Sequence, residues 1–410
     1  MKTRLLAPLL VAALALGAEN TVVKPPRVAH PGESWVPRVL DAPPRGAAPL
    51  DGFLDLRGIF HAHSKHSHDS KADPAKIVAA ANELGIDFFF MTDHPSARSL
   101  EDGLRGRHGR TLFFAGAETD GLLALDLKEP VRGATSAERI AHVTSQGGVA
   151  LIAHPEEWTD WDAPFAGMEV FNLHFATLKD GPLGEAVEAA RDKKGIFKVA
   201  AILGSLEANP KAKRLFDAFS RVEEDPESVL VELLHRPESY LARWDALGKR
   251  RRVPGVAGND SHENVKLGDV QLDPYERTLR VVDTHLFARG PEAKDMREAL
   301  LEGRGYVAHE VFGESYGFVF FARGPGGETR AVLGEEVRLE SEPLTLVARA
   351  PAEATLRLYR DGVVAKEALG RELALEVTGG GVYRVEVTVE RRGREFPWIT
   401  SNPIYVREPD

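Results

Sequence analysis

Four histidines are crowded into the segment "IFHAHSKHSHDS". His61, His63, His66 and His68 fall within eight positions of a chain that has only 14 histidines in 410 residues. One interpretation is a polar, solvated loop, and the other is a metal site. The preceding "FLDLRGIF" has the apolar composition of a β-strand, in which alternate residues point to the same side. His61 and His63 would then present two imidazoles on one face, which favours a divalent cation.

Histidines and acids also end five other short apolar segments. "LGIDFFFMTDH" ends in Asp93 and His94, "TLFFAGAE" in Glu118, "GGVALIAHP" in His154, "AGMEVFNLH" in Glu169, Asn172 and His174, and "VPGVAGNDSH" in Asp260 and His262. Where strands alternate with helices, the carboxyl ends of the strands converge on one site. A lone histidine after a strand is more often a hydrogen-bonded core residue. Five such strand ends in order predict a shared cluster.

Composition limits the chemistry of this cluster. The chain has no cysteine, so nitrogen and oxygen must hold any metal, which suits zinc, manganese or iron(II). With 43% hydrophobic and 28% charged residues, the chain is typical of a globular protein with a large core. The formal net charge of -10 opposes binding of long polyanions. A small-molecule substrate is therefore favoured, and nucleic acid is expected only as a short oligonucleotide or a nucleotide.

The first residues have the pattern of an export signal. Lys2 and Arg4 precede a short apolar run, and small residues follow it up to Ala18. The run is too short for a membrane span. The alternative, a buried N-terminal helix, lacks a capping residue. We expect cleavage near Ala18 and a periplasmic or secreted protein without a membrane span.

Four regions follow from the changing pattern along the chain. We predict a signal peptide at 1–18, a Pro-rich lead-in at 19–50, a barrel that carries the metal cluster at 51–324 and a β-sandwich at 331–410. The barrel region alternates apolar runs with helical patterns, of which "DPAKIVAAANELGID", "TSAERIAHVTSQGG" and "PESYLARWDALGKRRR" are the clearest. The last region alternates apolar and polar residues, with a hairpin turn at Asp361-Gly362.

The motifs together resemble a known superfamily. In order, "HAHSKHSHD", "GIDFFFMTDH", "GAE", "LIAHPE", "GMEVFN" and "GNDSH" are similar to the PHP (polymerase and histidinol phosphatase) superfamily. "LDPYERT", "THLFA" and the C-terminal region resemble its secreted carbaryl-hydrolase-like branch. The resemblance implies an α/β fold, a distorted seven-stranded β/α barrel followed by a small C-terminal immunoglobulin-like β-sandwich. It also implies two or three divalent metal ions.

The resemblance assigns ligands residue by residue. His61 and His63 with Glu118 and Asp260 would hold a first metal, and Glu118 would bridge to a second metal bound by His154. A third metal would be held by His68, His94 and His262, with His68 standing where many relatives have aspartate. Asp260, His262 and Glu118 would carry catalysis.

Other residues would support these ligands or replace them. Asp93 is expected to orient a ligating imidazole, and His66 to lie beside the site or in solvent. Relatives usually have a histidine where this chain has Leu122, so the second site would be weak or would borrow a ligand from His174 or Glu169. Arg57 and Lys65 would either contact an anionic substrate or be ordinary surface charges.

The predicted function is a secreted PHP-type metal-dependent hydrolase, phosphoesterase-like, acting on small phosphoesters, esters or carbamates. Binding to a zinc-like cation lowers the pKa of water from about 15.7 to about 7, which supplies hydroxide at neutral pH. One alternative is a 5′–3′ exonuclease or nucleotide phosphoesterase of the same family. A second alternative, favoured only by Leu122, is a non-catalytic metal-binding surface protein. The sequence leaves the oligomeric state and the ligand of the β-sandwich open.

Overall fold

The computed structural model describes residues 50, 52–96, 98–178, 189, 192–193, 201, 204–205, 212–219, 221–267, 269–339, 343–391 and 393–409. The predicted signal peptide and all but the last residue of the lead-in lie outside these ranges, so both stay predictions. In the part of the chain that the structure describes, no helix is long and apolar enough to cross a membrane.

Six parallel strands form the part of the sheet that carries the predicted cluster. They are β1 (Leu54–Ala62), β2 (Phe88–Met91), β4 (Thr111–Ala115), β7 (Val149–Ile152), β8 (Gly167–Asn172) and β9 (Gly255–Ser261). Hydrogen bonds join them in the order β4–β2–β1–β9–β8–β7. Because all six run in one direction, their carboxyl ends meet at one edge of the sheet.

Short antiparallel strands extend this sheet. They are β3 (Gly106–His108), β5 (Ala117–Thr119), β6 (Leu122–Leu125), β12 (Asp283–Ala288) and β13 (Gly305–Ala308), and β10 (Lys266–Leu267) pairs separately with β11 (Val270–Gln271). β5 pairs with β6 and β6 with β7, but no pairing between described strands joins β4 to β5. The sheet is therefore not closed. The mixed α/β class is confirmed, and the predicted seven-stranded barrel is not.

Eight α-helices lie between or beside these strands in the described residues. They are α1 (Pro74–Glu83), α2 (Ser136–Ser145), α3 (Leu173–Leu178), α4 (Ala212–Phe219), α5 (Glu227–Leu233), α6 (Glu238–Gly248), α7 (Tyr275–Val281) and α8 (Ala293–Glu302). A short 3₁₀ helix spans Glu310–Phe312. The three helices predicted most clearly from the sequence correspond to α1, α2 and α6.

Local capping fixes where two of these helices begin. The Asp73 side chain accepts the Ala75 amide at 2.9 Å and Pro74 occupies the first helical position of α1, as predicted. At α2, Thr135 and Glu138 form a capping box. Both helices stop where the sequence supplies a glycine with positive φ, Gly85 at 73° and Gly147 at 88°.

Gly58 allows close packing between β1 and β2. A Cβ at this position would lie 2.1 Å from the ring of Phe88, which pairs with Gly58 across the strands. Phe88 in turn packs against Phe60 and Phe90 in a buried aromatic cluster. The absence of a side chain at residue 58 therefore sets how closely the two strands can approach.

The C-terminal part of the described chain contains strands and no α-helix. The strands are β14 (Val319–Arg323), β15 (Thr329–Val332), β16 (Glu336–Arg338), β17 (Leu344–Arg360), β18 (Val363–Val377), β19 (Gly381–Arg391), β20 (Arg394–Ser401) and β21 (Ile404–Arg407). The turn between β17 and β18 has φ 54° at Asp361 and 87° at Gly362, which confirms the predicted hairpin. The immunoglobulin-like arrangement stays a prediction.

Strand pairing and charge pairs join the two predicted regions. β13 pairs with β20, and β14, which the sequence boundary assigns to the first region, pairs along its length with β17. The guanidinium of Arg384 on β19 is buried and makes two bonds to Asp245 on α6, at 2.7 and 2.8 Å. The C-terminal strands thus pack directly on the helices that flank the parallel sheet.

Candidate metal centre

The predicted residues lie close together at the edge of the sheet where the parallel strands end. His61 lies near the end of β1, His94 three residues after β2, and His154 two residues after β7. Glu118 lies on β5 and Asp260 on β9. Residues up to 201 positions apart in sequence, such as His61 and His262, therefore meet at one edge of the sheet.

A first group joins the four residues assigned to the first metal. The Nε2 of His61 lies 3.0 Å from Glu118 Oε2 and 3.2 Å from Asp260 Oδ1. The Nε2 of His63 lies 3.3 Å and 3.5 Å from the same two oxygens. All four candidate ligand atoms lie within 4.8 Å of one another, and all four residues are buried. The structure thus brings together two imidazoles and two carboxylates as expected.

The donor set of this group fits a divalent cation. The Nε2 of His63 is buried and makes no hydrogen bond within the described chain. A buried polar atom without a hydrogen bond is costly, and a cation between the two imidazoles and the two carboxylates would satisfy it. With nitrogen and oxygen donors only, the group suits zinc, manganese or iron(II).

A second group contains a residue that the sequence analysis missed. His63, Asp69, His94 and His262 place their ligand atoms within 4.8 Å of one another. Asp69 Oδ2 lies 3.3 Å from His94 Nε2 and 3.4 Å from His262 Nε2. His63 belongs to both groups, but one ring nitrogen binds only one cation. If His63 binds in the first group, Asp69, His94 and His262 remain for the second.

His68, predicted as the ligand at this place, does not join the group. Its side chain is 78% exposed, and its Nε2 lies 4.0 Å from Asp69 Oδ2. Asp69, the next residue in the turn after β1, places its carboxylate between His94 and His262 instead. The adjacent pair His68-Asp69 in "HSHDS" was the available signal.

His154 approaches the first group from the other side. Its Nε2 lies 3.3 Å from Glu118 Oε1 and 3.5 Å from Asp260 Oδ2. Glu118 therefore directs one oxygen to His61 and the other to His154, which is the geometry of a bridging carboxylate. Leu122 is fully buried on β6 and packs in the apolar core, so it contributes no ligand atom.

Glu169 holds the first group in place. Its Oε1 lies 2.6 Å from His61 Nδ1, and its Oε2 accepts the backbone amide of His154 at 2.9 Å. Asn172 donates to Glu169 at 3.2 Å and to Asp260 at 3.3 Å. A carboxylate on the far nitrogen of an imidazole fixes the ring orientation and its tautomer. Glu169 thus contacts the first group through His61 Nδ1 and the His154 amide.

Two of the predicted supporting residues act on the loop after β1. Asp93 accepts the Ser64 amide at 2.5 Å and the Ser64 hydroxyl at 3.0 Å, and not an imidazole as predicted. His66 is half-buried, and its amide donates to the Ser64 hydroxyl at 3.2 Å. Because Ser64 follows His63, Asp93 fixes the backbone that carries this imidazole.

Backbone strain is concentrated at the site. His61, His154 and Asp260 have φ values of 59°, 45° and 54°, in the left-handed region that residues with a side chain rarely adopt. Such conformations cost roughly 1–3 kcal/mol each and cluster at functional sites. Three strained residues in one candidate cluster indicate that their orientation matters more than local stability.

Opposite charges within the cluster raise the pKa values of two imidazoles and lower that of a carboxylate. Burial opposes a charged His61, but Asp260 and Glu118 outweigh it and raise its pKa well above the usual value. Burial also opposes a charged His154, yet Glu118 and Glu156 raise its pKa to about 10. Against burial, His61 holds the pKa of Asp260 well below its usual range. Without a cation, the carboxylates are ionised and these imidazoles hold protons.

His262 differs from the other imidazoles. Burial, followed by the neighbouring charge of His63, lowers its pKa to about 4. It is therefore neutral at physiological pH, which is the protonation state that a metal ligand requires.

The cluster opens onto a polar cavity of about 210 Å³. Its walls are formed by residues of both groups together with His174 and Asn264. The His174 ring centroid lies 6.0 Å from that of His262, so the predicted substitute for the missing ligand at Leu122 borders the same space. The cavity can admit a small molecule beside the candidate metals.

Arg57 and Lys65 do not reach this cavity as substrate contacts would. Arg57 is buried and forms an ion pair with Asp283. Asp283, His285 and Glu310 form a separate cluster beside the first half of β1. His285 lies 2.7 Å from Asp55 and 3.2 Å from Glu310 through its two nitrogens, so this cluster is a self-paired ionic network. Lys65 pairs with Asp73 at 2.9 Å on the surface.

Comparison with known proteins gives two solved structures. A two-domain protein from Bacteroides vulgatus containing a predicted PHP-like metal-dependent phosphoesterase is 16% identical, with a TM-score of 0.38, over 92% of this chain and 100% of that chain. Bacteroides uniformis β-glucuronidase 2 is 10% identical, with a TM-score of 0.17, over 86% of this chain and 46% of that chain. No family model and no curated protein matches.

Proposed function

We propose that the protein is a metal-dependent hydrolase of the PHP type that acts on small phosphoesters or esters. One observation supports this above the others: Glu118 and Asp260 lie between His61, His63 and His154, all within hydrogen-bonding or ion-pair distance. A second set of ligands, Asp69, His94 and His262, adjoins them. Few structural roles require so many imidazoles and carboxylates around one cavity.

The residues of the chain would divide the work of hydrolysis. Divalent metals at the two groups would activate water at neutral pH and polarise the substrate oxygen. Glu169 and Asn172 orient His61 and Asp260, so that these ligands need no rearrangement when a cation binds. The polar cavity would hold the reacting group, and Asn264 at its wall would help to position it.

Several finer statements belong to the same proposal. We propose export by a signal peptide at 1–18, a division between residues 51–324 and 331–410, and an immunoglobulin-like fold for the second unit. Zinc, manganese and iron(II) are the expected metals, because the donors are nitrogen and oxygen. The carbaryl-hydrolase-like branch rests on the sequence resemblance, and carbamates stay within the expected substrates.

The experiment is metal reconstitution followed by a substrate panel. Protein stripped with a chelator should be inactive and should regain hydrolysis of 4-nitrophenyl phosphate, bis(4-nitrophenyl) phosphate or 4-nitrophenyl acetate with zinc, manganese or iron(II). Asp260→Ala and His61→Ala should abolish turnover without unfolding the protein. His66→Ala is the matched control, since His66 belongs to neither group, and it should retain activity. Turnover that survives metal removal would contradict the proposal.

The same panel separates the proposal from the exonuclease alternative. A 5′-labelled oligonucleotide should be a poor substrate, because the formal net charge of -10 opposes polyanions. Efficient trimming from the 5′ end that is lost in His94→Ala would favour the exonuclease instead. Tight metal binding without hydrolysis of any substrate would favour the non-catalytic alternative.

A further inference from the structure

A second, apolar cavity adjoins the candidate metal centre, and we refer to it as the apolar chamber. Helices α3, α4 and α5 form one part of its wall, and β9, the segment after it and α7 form the other. The apolar lining includes Leu173, Phe219, Val229, Leu230, Leu233 and Leu272.

Two residues connect the apolar chamber to the polar cavity. Asp260 and His174 line both spaces. Asp260 also belongs to the first group of candidate ligands. A molecule whose reacting bond lies at the metals can therefore extend past Asp260 and His174 into the chamber.

Two polar residues of the apolar chamber away from the metal centre, Asn259 and Asp273, are already engaged with the protein. Asn259 donates to the carbonyl oxygens of Thr278 and Val282, at 2.9 and 3.2 Å. Asp273 accepts the amides of Asn264 and Val265, each at 3.0 Å. These groups have little capacity left for a ligand, so they favour an apolar occupant over a polar one.

Thr278 differs from these two polar residues. It is 2% exposed, and its hydroxyl makes no hydrogen bond with any described residue. One hydroxyl can donate a single hydrogen bond to a ligand and accept at most two. It is too little to hold a charged group away from water.

We infer that the apolar chamber binds the apolar chain of the substrate, so that the enzyme prefers esters or phosphoesters with a medium-sized acyl or alkyl group. This inference rests on the proposed hydrolytic function and specifies its substrate class. The metals receive the bond to be cleaved, and the chamber removes the chain from water. Burial of each methylene should raise kcat/KM roughly three- to fourfold until the chamber is full.

The test compares substrates that differ only in chain length. Metal-loaded protein is assayed on 4-nitrophenyl acetate, butyrate and hexanoate, and on the methyl, butyl and hexyl esters of 4-nitrophenyl phosphate. In whichever series is cleaved, kcat/KM should rise from the shortest to the longest chain by on the order of 100-fold or more. A flat or falling series would overturn the inference and leave the proposed hydrolase standing.

Variants of Val229 link this preference to the apolar chamber. Val229→Phe fills the space and should reduce the long-to-short selectivity to near one, without change in the metal content found by elemental analysis. Val229→Ala enlarges the space and should move the preference to the octyl or octanoyl substrate, which keeps the test decisive if the larger side chain prevents folding. Val143→Ala is the matched control, because Val143 is equally buried on α2 and does not line the chamber.

The outcomes separate a failure of the inference about the apolar chamber from a failure of the proposed function. Selectivity that is unchanged in both Val229 variants would place the chain elsewhere and refute the inference. No cleavage of either series by protein that holds its metals would refute the proposed function and the inference together. Loss of selectivity in Val143→Ala as well would mean a general effect on the fold and would also count against the chamber.

Discussion

At the scale of single residues, the neighbours His68 and Asp69 offer a sharp test of the second group. Asp69 lies within 3.4 Å of two imidazole nitrogens, whereas His68 is largely exposed. We expect Asp69→Ala to weaken metal binding by more than the roughly 10- to 100-fold that loss of a ligand's supporting partner causes. His68→Ala should bind metal as the unmodified protein does. Titration against a chromophoric chelator measures both, and the reverse order would restore His68 as the ligand.

Glu169 should act on metal affinity through His61. Glu169→Gln keeps the size of the side chain but removes the charge that lies 2.6 Å from His61 Nδ1. We expect metal affinity to fall about 10- to 100-fold. The control is Glu83→Gln on the exposed face of α1, which should leave affinity unchanged. Equal affinities for the two variants would show that Glu169 does not orient a ligand.

Metal binding should release protons, because His61 and His154 are protonated at neutral pH in the absence of a cation. The pKa of His154 is about 10 and that of His61 is also well above its usual value, and a ligand must be neutral. Affinity should therefore rise with pH from mildly acidic to mildly alkaline solution. Calorimetry in buffers of different ionisation enthalpy should show fewer protons released by His154→Ala. Identical proton release in the two proteins would contradict this assignment.

The sequence predicted most of the candidate cluster and missed Asp69 for a physical reason. His61, Glu118, His154 and Asp260 lie on or just after strands, where the alternation of side chains and the parallel direction determine which way they point. Asp69 lies in the turn after β1, where Ser67 bonds to His63 and to the His94 amide at 3.1 and 2.9 Å. Which of two adjacent turn residues faces the site depends on such contacts, and residue spacing does not reveal them.

At the scale of elements, the packing of β1 against β2 positions the strand that bears His61. Gly58→Ala would place a Cβ 2.1 Å from the Phe88 ring. We expect overpacking to lower the free energy of unfolding by about 1–3 kcal/mol. Phe88→Leu in the same chain should restore part of this loss, because it removes the clashing ring. Urea denaturation of the single and double variants measures both effects, and strictly additive losses would contradict the proposed clash.

Elements with strong local signals were predicted correctly, and the closure of the sheet was not. Asp73, Pro74 and the capping box at Thr135 specify α1 and α2 through contacts within a few residues. Whether β4 pairs with β5 depends on how the whole sheet twists and on the hairpin of β5 and β6. The alternation of apolar and polar residues within one strand does not predict this pairing.

At the scale of the whole molecule, Arg384 joins the C-terminal strands to α6. Its guanidinium is buried and bonds both oxygens of Asp245, and it also pairs with Glu386. Removal of one partner of a buried pair costs about 3–5 kcal/mol, so Arg384→Ala should strongly destabilise the protein. Arg349→Ala is the control, because Arg349 and Glu372 form an exposed pair on β17 and β18, and surface pairs contribute about 0–1 kcal/mol. Similar losses in the two variants would show that the buried pair does not hold the regions together.

The central claim is that the edge where the parallel strands end is a catalytic metal centre, and metal content measured together with turnover tests it most directly. Elemental analysis of dialysed protein should find tight binding at the groups built on His61 and on His94, and weaker binding at His154, where Leu122 supplies no ligand. Asp260→Ala should lose metal and turnover together while its circular dichroism stays unchanged. Dialysed protein that holds less than one equivalent of metal and still turns over, or Asp260→Ala that retains full activity, would contradict the account.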